Sequence, residues 1–219
     1  MIITAQPPSD RTRVRRVADR ADYQADTLYA IVDQAYLCHL AFADERGIHC
    51  IPMACWREDD YLYIHGSNGS RLIKLAASGA QVCATVTHLD GLVLARSAFH
   101  HSMNYRSAVI YGSFELVEGE HKARAFDVFV EKVASGRSLE VRPGDAQELG
   151  ATTLLRMALR EAATKIRRGG PKDDADDLAR PVWAGVLPLA LMPQSPVPDG
   201  TPQELPDYVA HWANRAAAG

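Results

Sequence analysis

The 219-residue chain is most informative first in what it lacks. Its four cysteines, Cys38, Cys50, Cys55 and Cys83, include no CxxC pair, so neither a zinc knuckle nor a dithiol redox motif is expected. Three of them lie in apolar stretches and Cys55 adjoins Trp56, the pattern of buried free thiols in a reducing compartment. No run is long and apolar enough to span a bilayer, and MIITAQPPSDRTRVRR lacks the apolar core of a signal peptide. A cytoplasmic protein with no membrane partner is the resulting expectation. There is no Walker A loop, no GxGxxG opening a helix, no GxSxG elbow and no HExxH. The net charge of −3 offers no basic face for nucleic acid. The local exception, Arg11, Arg13, Arg15, Arg16 and Arg20, reads as a solvated arm.

What is present is a series of short apolar runs separated by turns. Residues 1–22 form the arm, 23–195 one folded domain, and 196–219 a tail with a weakly helical stretch from Tyr208 to Ala218. Leu28, Ile31, Val32 and Ala35 have one-faced helical spacing, with Asp26 as the expected N-cap. Leu37–Ala43 and Ile48–Trp56 flank Asp44-Glu45-Arg46-Gly47 as a hairpin, and Tyr61–His65 makes a third strand. A short helix follows through Leu72, Ile73, Leu75 and Ala76, closed by Gly79. Further strands are expected at Gln81–His88, Gly91–Ala98, Ser107–Val117, Thr152–Leu159 and Pro181–Met192. A helix is expected over Lys122–Val133, and a polar loop over Lys165–Arg180. Many strands with few helices, not alternating, indicate a mainly β barrel.

Three segments carry chemistry. In His65-Gly-Ser-Asn-Gly-Ser-Arg-Leu-Ile-Lys74 a strand enters a hydroxyl-rich turn and then a helix. Ser67, Ser70, Arg71 and Lys74 there can cradle a phosphate, and the same residues equally make an ordinary capped helix with solvated cations. Arg96–Ser107 concentrates histidines, hydroxyls, an amide and arginines at the edge of an apolar strand, the donors and acceptors a flavin edge requires. His100 and His101 are adjacent, so on a strand their rings diverge and no metal site is expected. Trp183, in Pro181-Val-Trp-Ala-Gly-Val-Leu-Pro188, is a core, interface or cofactor-facing tryptophan. The acidic run Asp173–Asp177 lacks the Gly and Glu spacing of an EF-hand and reads as a solvated loop.

On these segments the sequence resembles the pyridoxamine 5′-phosphate oxidase-like FMN-binding split barrels, in the flavin-nucleotide-binding branch that also holds nitroimidazole-resistance reductases. The matching stretches are His65–Lys74, Leu89–Ser97, Phe99–Ser107 and Pro181–Pro188. The resemblance implies a six-stranded antiparallel split barrel and a homodimer with FMN at the interface. It places Ser67, Ser70, Arg71 and Lys74 on the FMN phosphate, and Leu92 and Val93, within Leu89–Leu94, along the ring. Ser102, Asn104, Tyr105 and Arg106 would frame the pocket, and Trp183 would approach from the partner subunit. The implied activity is electron transfer from a nicotinamide donor to a small organic acceptor, with Tyr105, His100 and His101 as candidate acids. A flavin carrier or sensor, and a barrel binding haem or a deazaflavin, are the alternatives. After Pro188 the chain reads Leu-Ala-Leu-Met-Pro, without the Arg-Leu-x-Pro signature of the oxidase proper.

Overall fold

In the computed structural model, residues 6–200, 204–210 and 212 are described. Period-two alternation fixes the strands: β2 (Leu37–Asp44), β3 (Gly47–Glu58), β4 (Tyr61–Ser67), β5 (Gln81–Leu94) and β6 (Ser102–Ser113) carry the central sheet. Short elements extend it: β1 (Ala21–Asp22), β7 (Glu115–Val117), β8 (Thr152–Ala158), β9 (Ala162–Arg167) and β10 (Gly185–Pro188). The order is β1-β9-β6-β5-β2-β3-β4-β8-β7, and β10 pairs with β5 beyond the point where β2 leaves it. Every strand pairing among the described residues is antiparallel. The class is the expected mainly β split barrel, with ten strands rather than six; the short strands β1, β7 and β10 extend a ladder of seven longer ones.

The core is the inner face of this sheet. Leu40, Leu62, Ile64, Val82, Ala84, Val86 and Ile110 meet Leu28, Ile31 and Val32 of α1 (Ala25–Asp33). Gln24, not Asp26, occupies the α1 N-cap position, and Asp26 lies in the first turn. Helix α2 (Arg71–Ala77) is capped by the Ser70 side chain and stops at Gly79, whose φ of 80° only glycine adopts freely. A second apolar cluster of Trp56, Tyr63, Val117, Ala125 and Leu154 joins β3, β4 and β8 to α3 (Gly119–Val133). Helix α4 (Ala146–Ala151) opens with a capping box between Asp145 and Glu148.

Several sequence expectations change. Gln81–His88 and Gly91–Ala98 are one strand, β5, kinked by a bulge between Leu89 and Gly91. The polar stretch before Ser107 is itself strand, since β6 begins at Ser102 and pairs with the second half of β5. The expected loop from Lys165 starts inside β9, and the late apolar strand shrinks to β10. Of the thiols, Cys38 and Cys55 are buried and Cys83 half-buried, but Cys50 is exposed because it lies on the outer face, opposite Ala41. Arg11, Arg13, Arg15 and Arg16 of the arm are exposed, as expected, but the arm is tied to the barrel. Arg11 makes a two-point contact with Glu161 at 2.7 and 2.5 Å, reaches Gln81 at 3.2 Å and covers the Tyr111 ring. A terminal helix, α5, covers Asp207–Ala210, and most of the expected 208–218 helix lies outside the described residues.

Candidate functional site

The turn after β4 is built by neighbours far along the chain. Asn68 donates from its backbone to Ala151 at 3.1 Å and from its amide to Gly150 at 2.7 Å, and accepts from Thr153 at 2.7 Å. Gly66 has no room for a side chain, because a Cβ would lie 2.7 Å from Cγ1 of Ile73, so α2 packs directly on β4. Ser67 Oγ accepts the Gly69 N–H at 3.2 Å and Ser70 Oγ that of Ile73 at 3.4 Å, and each hydroxyl retains an O–H donor. Lys74 is exposed one helical turn on. Arg71 is exposed but paired. It is ion-paired with Asp44 and lies 3.3 Å from His49 Nε2, which itself lies 3.0 Å from Asp44, and the His49 ring stacks on Phe42. Burial alone would raise the Asp44 carboxyl, but the Arg46 N–H, His49 and Arg71 outweigh it and hold it below its ordinary range.

The second half of β5 and the first half of β6 hold the other expected residues, and the pleat sorts them onto two faces. Leu92 pairs with Met103 and Leu187, whereas Val93 pairs with Ser102 and Val186 on the opposite face. Tyr105 shares its face with Leu89, and Ser102, Asn104 and Arg106 share the other. Arg106 is clamped by Asp90 at 2.9 and 2.8 Å and donates to Gln34 at 2.6 Å. That pairing pulls the Asp90 carboxyl down. Asn104 is buried, donates to the Gly169 carbonyl at 3.1 Å and accepts from Arg167. Arg167 was not singled out by the sequence, although Ala162-Ala-Thr-Lys-Ile-Arg167 carries the alternation that marks a strand end.

His100 and His101 sit in a helical turn rather than on a strand and face different partners. His100 Nε2 lies 3.2 Å from Asp174, and His101 Nδ1 lies 3.0 Å from the Ser97 carbonyl. Arg96 binds Asp173 through its N–H at 2.8 Å and its guanidinium at 2.7 Å, so the acidic run is pinned at Asp173 while Asp174 and Asp176 stay exposed, as expected. Trp183 is 63% exposed and lies over Gly185, where a Cβ would stand 2.8 Å from the indole. Among the described residues no group of three His, Cys, Asp or Glu could hold a metal ion, and no helix is long and apolar enough to cross a membrane.

The two halves of the expected site are therefore at opposite ends of one chain. Strand β2 pairs through His39–Ala41 with Thr85–Cys83, so its Asp44 end, which holds Arg71, lies toward the start of β5. Val93 and Ser102 lie near the end of that strand.

A third feature is an aromatic box outside the barrel. His65 on β4 is flanked by Trp56, Phe126 and Phe129 at centroid distances of 5.8, 5.5 and 4.9 Å. Its Nδ1 is buried with no hydrogen-bond partner among the described residues, and burial lowers its pKa. Sequence reading used His65 only as the start of the phosphate turn.

Residues 24–166 match the family model described as pyridoxamine 5′-phosphate oxidase. No match to a curated protein was found. Among solved structures, the flavocytochrome Anf3 from Azotobacter vinelandii is 37% identical with a TM-score of 0.87, over 94% of this chain and 98% of that one. The FAD and haem binding protein from Mycobacterium smegmatis is 33% identical with a TM-score of 0.80, over 89% of this chain and 97% of that one. A candidate 5-nitroimidazole antibiotic resistance protein from Bacteroides thetaiotaomicron is 21% identical with a TM-score of 0.56, over 67% and 86%, a likeness of fold.

Proposed function

This chain belongs to the pyridoxamine 5′-phosphate oxidase family, and we propose that it is a flavin-binding oxidoreductase that acts as a homodimer. The observation that carries the reading is the turn that gathers Ser67, Ser70, Arg71 and Lys74 at one end of a split barrel. Two hydroxyl donors and two cations fit a phosphate monoester or one phosphate of a dinucleotide. FMN satisfies this chemistry, and so does FAD, which the Mycobacterium smegmatis relative binds. When bound, the flavin supplies the electron transfer, and a nicotinamide donor with a small organic acceptor is the proposed traffic. Ser102 and Asn104, on one face of β6, offer a hydroxyl and an amide for the ring edge, while Tyr105 lies on the other face. Arg106 is committed to Asp90, so its role there is to hold the β5 bulge rather than to touch a ligand.

The separation of the turn from the β5–β6 end supports the dimer. A second copy, related by a two-fold axis, would set each turn against its partner's far end. The outer sheet face between them exposes Leu37, Ile48, Leu89, Met103 and Leu187, an apolar stripe of the kind covered by a partner.

A second reading adds haem. The unpartnered Nδ1 of His65 inside an aromatic box is a nitrogen able to ligate iron, and the structures 37% and 33% identical are named for haem or cytochrome content. The test is the absorption spectrum of the purified protein with chromatography of the released cofactor. A flavin spectrum near one per chain supports the reading and chromatography assigns FMN or FAD. A Soret band lost in His65→Ala while flavin is retained supports the haem. Protein that stays colourless after loading with FMN, FAD and haemin sinks both.

A further inference from the structure

Arg167 is only 5% exposed, yet no carboxylate is among its partners in the described residues. Its guanidinium donates to Asn104 Oδ1, to the Gly169 carbonyl at 3.2 Å and to the Gly170 carbonyl at 3.2 Å, all neutral acceptors. Its Nε–H is buried and unpartnered. The charged and titratable groups bearing on it are Arg20, which repels it, and the Tyr105 phenol opposite it on β6. Most arginines of this chain are paired: Arg11 with Glu161, Arg57 with Asp33, Arg96 with Asp173, Arg106 with Asp90. A buried cation without a counter-charge costs several kcal/mol as a general matter, and folding does not require it, because a neutral side chain could fill the same space. The cation is also in direct contact with Asn104, which the proposed function places at the ring edge.

We infer that Arg167 is the resident positive charge of the candidate ring pocket and stabilises the negative charge that reduction places on the flavin. This rests on the flavin reading given above. The carbonyls of Gly169 and Gly170 and the Asn104 amide hold the guanidinium in place without neutralising it, which leaves its field available to an anion. A carboxylate partner would have cancelled that field. Charge beside the ring is a recognised means by which a protein sets flavin electronics. Arg167 acts as a tuning residue, distinct from any group that transfers a proton.

The experiment compares full-length wild type with Arg167→Gln, Arg167→Met and Arg167→Lys, each loaded with the flavin the wild type retains. The two-electron midpoint potential is read by spectroelectrochemistry. The neutral variants are expected to lose at least tenfold in the reduced-to-oxidised ratio at fixed potential, a shift of about 30 mV to more negative values. Lysine is expected to remain within threefold. The flavin-free neutral variants are expected to melt no lower than wild type, an outcome that separates tuning from a structural role. Either neutral variant suffices if the other does not fold. A loaded neutral variant with the wild-type potential, or neutral variants that both fail to fold, overturns this inference alone. Wild type that takes up no flavin overturns the flavin reading and this inference together, and is recognised at loading.

Discussion

The seat of α2 on β4 can be tested by exchanging volume across one contact. Ile73 is 1% exposed, and its Cγ1 and Cδ1 would stand 2.7 and 3.0 Å from a Cβ at Gly66. Gly66→Ala therefore forces a side chain into occupied space and is expected to cost about 1–3 kcal/mol. Ile73→Ala removes those atoms and leaves a cavity, at about 2–5 kcal/mol. The double variant places a methyl group where the isoleucine branch was, so the clash vanishes and part of the cavity is filled. Its cost should fall to about that of Ile73→Ala alone, a coupling of at least ~1 kcal/mol. Urea titration of flavin-free protein reads this directly, since bound ligand would otherwise add its own stabilisation. Costs that add within about 0.5 kcal/mol would refute the close packing of α2 on β4. The same variants report on function, because Ser70 and Arg71 begin the helix that this contact positions.

The remaining predictions address single interactions. Arg71→Ala with Lys74→Ala should raise the flavin dissociation constant at least tenfold, from charge-assisted contacts worth about 1.5–3 kcal/mol each before solvent screening; unchanged affinity by fluorescence titration removes the phosphate assignment. His49→Ala should loosen Arg71 and weaken flavin binding less than loss of Arg71 itself, compared in the same titration. Glu148 is held down to about 2 by Arg142 and then by the Asp145 N–H. Its stabilisation is complete above the ordinary glutamate range and is lost as pH falls toward 2. Melting temperature should therefore drop across that interval, and Glu148→Gln should flatten the drop; an unaltered profile would remove the Arg142–Glu148 pair as its source.

Local chemistry made half of this molecule legible in advance. Ser70 and Gly79 mark the ends of α2 because capping and positive φ involve a few consecutive residues. The hairpin over Asp44–Gly47 is visible for the same reason. What was not legible depends on register. The bulge between Leu89 and Gly91 lies inside an apolar run, so neither the continuity of β5 nor the assignment of Leu92 and Val93 to opposite faces follows from composition. Cys50 looked buried because Ile48–Trp56 is apolar on both faces, and only the pairing with β2 shows which face is outside. The clamp of Arg106 by Asp90, the contact of Arg167 with Asn104 and the box around His65 all join residues distant in sequence. The candidate residues were individually visible, whereas their division between two ends of the barrel required the topology.

The arm has a consequence for how the protein is made. Arg11 meets Glu161 across 150 residues of sequence, and β1 has no partner until β9 exists. A ribosome adding about 5–20 residues per second needs roughly 8–30 s to traverse that interval. For that time the arm waits, with its hydrogen-bonding groups exposed, for its partner strand β9. The arm is thus a closing clasp of the fold, made well before the strand it fastens to.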